Sequence, residues 1–222
     1  PTIRIVMRTS SRGIIRSLYV YDDVAEAVID VQTGRLLRAT DVATNEEKLA
    51  DATTTFDYAG RKVTHEDRVR PGRNRTFSMP VGGDPVDLIS ALVQTREWAT
   101  EVGMKRDAFI FAGQDVYPVS IYGEAFETIG TKEGEVRVLM LSPRMETEPP
   151  RGVFKRGGEI KVWVSQEGER LPVRMQLKLK IGTAHLILVE HTVPPASVVN
   201  AGSDAASTER QASGVPAAAP SS

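Results

Sequence analysis

Residues 158–191, GEIKVWVSQEGERLPVRMQLKLKIGTAHLILVEH, decide the fold, because they read as strand, glycine-centred turn, long strand, glycine-centred turn, strand. From Leu171 to Ile181 the odd positions are apolar or bulky (Leu171, Val173, Met175, Leu177, Leu179, Ile181). Arg170, Arg174, Gln176, Lys178 and Lys180 fill the even ones. This is the period-two signature of a strand with one buried face. Extended, those residues span about 36 Å, the length of a wall in a curved antiparallel sheet or barrel.

Working back toward the N-terminus, strand-like segments follow closely at 2–8, 14–21, 25–31, 35–42, 48–58 and 62–70. Gly13, Gly34 and Gly60 punctuate them, as an antiparallel meander requires. The segment 84–98 predicts the one helix. Asp84 is placed to cap it, Pro85 fits its first position, and Leu88, Ile89, Leu92 and Val93 make an apolar stripe for one buried face. Further strands are expected at 108–112, 116–122, 126–131 and 136–141. The fold class is therefore mainly β, a curved antiparallel sheet or barrel covered by one helix. Residues 1–193 form that domain, and the Ala, Ser and Pro-rich segment 194–222 is expected to be a disordered tail.

Outside that tail, acidic and basic residues balance. Bulk charge thus gives no reason to expect a nucleic-acid partner. The absence of cysteine excludes disulfides, thiolate metal sites and thiol nucleophiles. No apolar run is long enough for a transmembrane segment. Pro1 is followed immediately by the alternation of Ile3, Ile5 and Met7 against Arg4 and Arg8, with neither an initiator Met nor a signal-peptide pattern. The expectation is either a processed chain or a fragment lacking its first strands.

No nucleophile elbow, P-loop or dinucleotide-binding glycine pattern occurs. His65-Glu66-Asp67 resembles the start of a zinc-protease helix, but no second histidine follows four residues after His65 and the local pattern is strand. His185 and His191 lie about 20 Å apart on a straight strand, too far to share a metal. No metal and no cofactor are expected. Asp22, Asp23, Glu26 and Asp30 raise paired-carboxylate chemistry against a turn at Asp22-Asp23 and a polar strand face after it. Arg68, Arg70, Arg73 and Arg75 flank Pro71-Gly72 and form a candidate anion site, with a solvated loop as the alternative. The last strand is apolar on both faces (Ala184, Leu186 and Leu188 against Ile187 and Val189), predicting double-sided burial beneath Leu88 and Leu92 or contact with an apolar guest.

The run Trp163-Val164-Ser165-Gln166-Glu167, then Arg170-Leu171-Pro172-Val173 and Ile181-Gly182, resembles the closing signature of a bacterial family of unknown function, domain of unknown function 3108. Phe56-Asp57-Tyr58 and the segment from Asp84 to Arg96 agree with its pattern, so the resemblance covers Ile3 to Val189. Gln166-Glu167 replaces the family's usual Asp-Asp pair, which weakens any role for two carboxylates there. Trp163, Ser165, Glu167, Arg170, Pro172 and Gly182 are expected to be structural, with Trp163 and Arg170 packing across the hairpin and Pro172 suited to a strand start or bulge. The resemblance implies export and a periplasmic or envelope location. The hairpin is also similar to one in lipoprotein-localisation carriers, whose half-barrels hold acyl chains under a helical lid.

These readings converge on a non-enzymatic envelope protein binding a lipid, lipoprotein acyl chain or similar guest. Leu88, Leu92, Phe109, Phe111, Tyr117, Tyr122, Leu186 and Leu188, with Phe126, are the candidate lining. The alternatives are a structural or protein-interaction module of the periplasm, and a hydrolase of envelope polymers acting through Asp22, Asp23 or Glu167.

Overall fold

The computed structural model describes residues 1–45, 47–113, 115–131, 134–151, 154, 159–179 and 182–193. The expected tail at 194–222 lies outside the described residues, as do Lys180 and Ile181. Contacts divide the chain into Pro1–Val189, which holds both sheets, and Glu190–Ser222.

The first half is a six-stranded antiparallel meander in sequence order, β1 (Thr2–Ser10), β2 (Asp22–Asp30), β3 (Leu36–Asn45), β4 (Glu47–Asp57), β5 (Lys62–Asp67) and β6 (Arg75–Ser78). Register shifts at Val28/Ile29 and Ala43/Thr44 mark bulges, which bend a sheet and increase its twist. The segment expected as a strand at 14–21 is instead a short helix, α1 (Gly13–Leu18), within the β1–β2 connection. Ile14 and Ile15 favour extended chain by propensity, but β1 and β2 pair directly with each other from Thr2↔Asp30 to Ser10↔Asp22. With no strand beside it, the connection satisfies its backbone groups locally in a helical turn.

The second half builds a seven-stranded sheet ordered β13-β12-β11-β10-β9-β8-β7. Its strands are β7 (Pro85–Asp87), β8 (Lys105–Ala112), β9 (Asp115–Thr131), β10 (Gly134–Arg144), β11 (Ile160–Ser165), β12 (Pro172–Leu179) and β13 (Gly182–Ile187). All neighbours are antiparallel except β7 with β8. The mainly β, antiparallel reading therefore holds, but as two sheets.

Within it, three details differ from expectation. The helix, α2 (Leu88–Trp98), is capped by Asp87, whose carboxylate accepts from the Ser90 amide at 2.9 Å. Asp84 instead pairs with Arg35 at 2.8 Å, and Pro85 sits in a strand. The longest strand is β9, 17 residues that join the two segments expected at 116–122 and 126–131, while β12 has eight. Finally, β13 is an edge strand with Ile187 65% exposed, and Leu188 and Val189 beyond it are exposed too, so double-sided burial is not what its apolar pattern serves.

Two apolar clusters hold the domain together. Val119, Ile121, Leu139, Leu141, Val162, Val164 and Met175 form one on the seven-stranded sheet, with Leu92, Trp98 and Leu186 packed against it. The other joins Ala27, Leu36, Phe56, Val63 and Met79 of the first half to Ile89 of α2 and Phe111 of β8. Phe56 and Phe111 meet edge to face, centroids 5.7 Å apart. The apolar stripe of α2 is thus split between two clusters; the helix buries Ile89, Ser90 and Thr95, while Leu88 is 38% exposed.

Candidate functional site

Alternation along the first sheet sends Asp23, Ala25 and Ala27 of β2 to the same face as Ala39 and Asp41 of β3, Ala50, Ala52 and Thr54 of β4, and His65 and Asp67 of β5. The register ties these into rows: Asp23, Ala43 and Ala50; Met7, Ala25, Asp41, Ala52 and Asp67; Ile5, Ala27, Ala39, Thr54 and His65. The next row is bulky, Phe56 beside Val63, and fills the core. Six of the thirteen residues in the first three rows are alanines, whose short side chains leave space between the sheet and the facing elements. A cavity of about 410 Å³ results, open to solvent and closed opposite the sheet by Asp87, Leu88, Ile89, Phe111 and Tyr117.

The polar groups in and beside it are differently held. Asp67, with no exposed surface, accepts from the amides of Val69 and Arg70 (each 3.0 Å) and from Arg70 Nε at 2.7 Å. Burial alone would raise its carboxyl, but Arg70 and these amides outweigh it and hold the group below the ordinary carboxylate range. The Thr54 hydroxyl lies 2.8 Å from His65 Nδ1, and burial lowers the imidazole's proton affinity.

Asp23 is only 9% exposed, and its Oδ1 has no hydrogen-bond partner. Burial first, then the charge of Asp41, pushes its carboxyl up to about 6. Withdrawal from bulk water also raises Asp41, although Arg70 and His65 pull the other way.

Of the residues singled out in the sequence, Leu88, Phe111 and Tyr117 line this cavity. Leu88 and Leu92 also line a second, wholly apolar space of about 60 Å³ between α2 and the seven-stranded sheet. Phe109, Tyr122, Leu186 and Leu188 line neither. Phe109 lies against Gly83, Tyr122 donates to Glu146 at 2.7 Å, and Phe126 is 40% exposed beneath Arg137.

Three of the four clustered arginines are engaged within the chain: Arg68 with Asp51 (2.8 Å), Arg70 with Asp67, and Arg75 with Asp115 (3.2 Å). Arg73 lines the cavity and makes no ion pair among the described residues. Asp22 is held by both terminal nitrogens of Arg16, at 2.8 and 2.9 Å. As adjacent residues of β2, Asp22 and Asp23 point to opposite faces and cannot act as a catalytic pair. Among the described residues, no three His, Asp or Glu side chains are grouped to hold a metal ion.

The signature hairpin makes extensive contacts of its own. Trp163 Nε1 donates to Glu127 at 2.8 Å, and the guanidinium over its ring belongs to Arg174, its register partner, at 4.8 Å, in place of Arg170. Arg170, at φ +53°, donates to the Arg96 carbonyl. Pro172 opens β12 at a register shift. Gln166 donates to the carbonyls of Val164 (3.0 Å) and Ala99 (3.2 Å), a role that a carboxylate cannot fill. Glu167 is exposed in the turn, and Gly182 begins β13.

The sequence reading passed over the alanine floor, Met7 and Asp41, and took Asp23 and His65 only as catalytic or zinc candidates. The available signal was the inward set of β3 and β4, Ala39, Asp41, Ala50, Ala52 and Thr54, too small and too polar to fill a core.

No curated protein and no solved structure matches the chain. The model of one family, described as protein of unknown function (DUF3108), matches residues 1–189. With all of Pro1–Val189 inside that match, the chain belongs to this family.

Proposed function

We propose that this domain is a non-enzymatic envelope protein that holds one lipophilic or lipid-linked guest between its six-stranded sheet and the start of α2. The observation that carries the reading is the cavity of about 410 Å³, created where alanines occupy positions that would otherwise be core. Its volume falls within the roughly 300–1,000 Å³ of small-molecule sites, and Met7, Leu88, Ile89 and Phe111 supply apolar wall. The envelope location rests on the family resemblance.

Titration with 1,6-diphenylhexatriene, a neutral lipophilic fluorophore, tests this. Binding is expected in the native protein and loss of binding in Ala52→Leu, whose added side chain enters the cavity. Equal binding by both proteins overturns the assignment.

A second reading, a protein-interaction module, draws on the exposed Ile187, Leu188 and Val189 at the edge formed by β13, where an extended partner segment could add a strand. Saturable capture of a partner by a protein that ignores lipophilic probes would favour it.

A further inference from the structure

Two arginines line the cavity, Arg70 and Arg73, but neither is paired with Asp23 or Asp41 among the described residues. Of the carboxylates lining it, Asp87 is committed to the α2 cap and Asp115 to Arg75. Asp23 and Asp41 have neither a hydrogen bond nor an ion pair among the described residues, and Arg70 is occupied by Asp67. Asp23 is paired in register with Ala43, and Asp41 with Ala25, which makes the two acids diagonal neighbours on one face. Such positions stand roughly 7 Å apart. A single ammonium group between them can donate to both carboxylates through charge-assisted bonds of about 2.8 Å. Around them lie methyl groups, Ala25, Ala50 and Ala52, and the side chain of Met7. Burying a carboxylate oxygen among alanines without a partner is costly unless a donor is brought to it.

We infer that Asp23 and Asp41 are the recognition site for the cationic group of an amphipathic amine, whose apolar body lies along the alanine floor toward Leu88 and Phe111. This rests on the proposed binding of a lipophilic guest and names its chemical class. Asp23 supplies the deep acceptor and Asp41 the solvent-facing one.

The test uses decylamine and decanol, equal chains with and without a cation, titrated calorimetrically at pH 7.5 into the native protein, Asp23→Asn and Asp41→Asn. Decylamine is expected to bind roughly tenfold or more tightly than decanol to the native protein, and the preference to vanish in either variant with decanol binding unchanged. Retained decanol binding also shows that a variant is folded; Asp41→Asn, at the solvent-facing position, carries the test if Asp23→Asn does not fold. Equal affinity for the two ligands in the native protein, or a preference that survives both substitutions, overturns the inference and leaves the lipophilic-guest reading standing. Failure of both ligands to bind the native protein overturns the two together.

Discussion

Arg70 Nε donates to Asp67 Oδ2 at 2.7 Å, and Asp67, three residues earlier, is completely buried. The same carboxylate accepts the amides of Val69 and Arg70, so one side chain closes the turn after β5 and fixes the arginine at the cavity rim.

Asp67→Ala leaves those amides without their acceptor and frees the guanidinium. The expected loss is about 3 kcal/mol of unfolding free energy, measured by urea denaturation. Asp67→Asn, which keeps an acceptor oxygen, is expected to lose less.

Gly123 lies at the register shift in the long strand β9. Its amide donates to Met104, its carbonyl accepts from Gly103, and the ladder with β10 shifts register between Met140 and Leu141. A Cβ at Gly123 would stand 2.5 Å from the Glu101 carbonyl oxygen. Gly123→Ala is expected to destabilise by about 1–3 kcal/mol through backbone displacement, whereas Gly130→Ala, with open space around it, changes thermal stability little.

The signature hairpin is a structural staple. Ser165 Oγ accepts the Leu171 amide at 2.8 Å in a buried position, while Glu167 is exposed. Ser165→Ala is expected to cost about 1–2 kcal/mol and Glu167→Ala less than about 0.5 kcal/mol in denaturant titrations. The reverse ranking would point to a role for the turn carboxylate that the contacts do not show.

Asp23 makes stability fall as pH rises. Its folded carboxyl titrates near 6 against an ordinary value of 3.8, so its favourable contribution is complete below that ordinary value and is lost as pH climbs through 6. At about 1.4 kcal/mol per unit, the effect is at most about 3 kcal/mol. His65 acts in the opposite direction: its folded value is depressed, so its contribution is present above the ordinary value of 6.5 and declines as pH falls. The difference between native protein and Asp23→Asn isolates the first effect. The native protein is expected to gain stability on the variant between pH 7.5 and 4.5; a pH-independent difference would show that Asp23 is not titrating in that window.

What the sequence disclosed follows from which interactions are local. Alternation in 171–179 and the glycine turns reveal strands because side-chain period and turn geometry are properties of short segments. The short helix α1 escaped because Ile14-Ile15 read as strand only if another strand lies alongside, and none pairs there. The helix start shifted from Asp84 to Asp87 because a distant partner, Arg35, takes Asp84. The cavity was least visible, since Ala39 and Thr54 become neighbours only through the β3–β4 register. Aromatic residues drew attention as lining candidates, yet the space exists where large side chains are missing.

The most direct test of the binding claim is native mass spectrometry of the chain after expression into a bacterial periplasm, followed by lipid extraction of what co-purifies. The account predicts one defined lipophilic adduct per chain on the native protein and none on folded Ala52→Leu. An adduct-free native protein, or an identical adduct on both proteins, would contradict it.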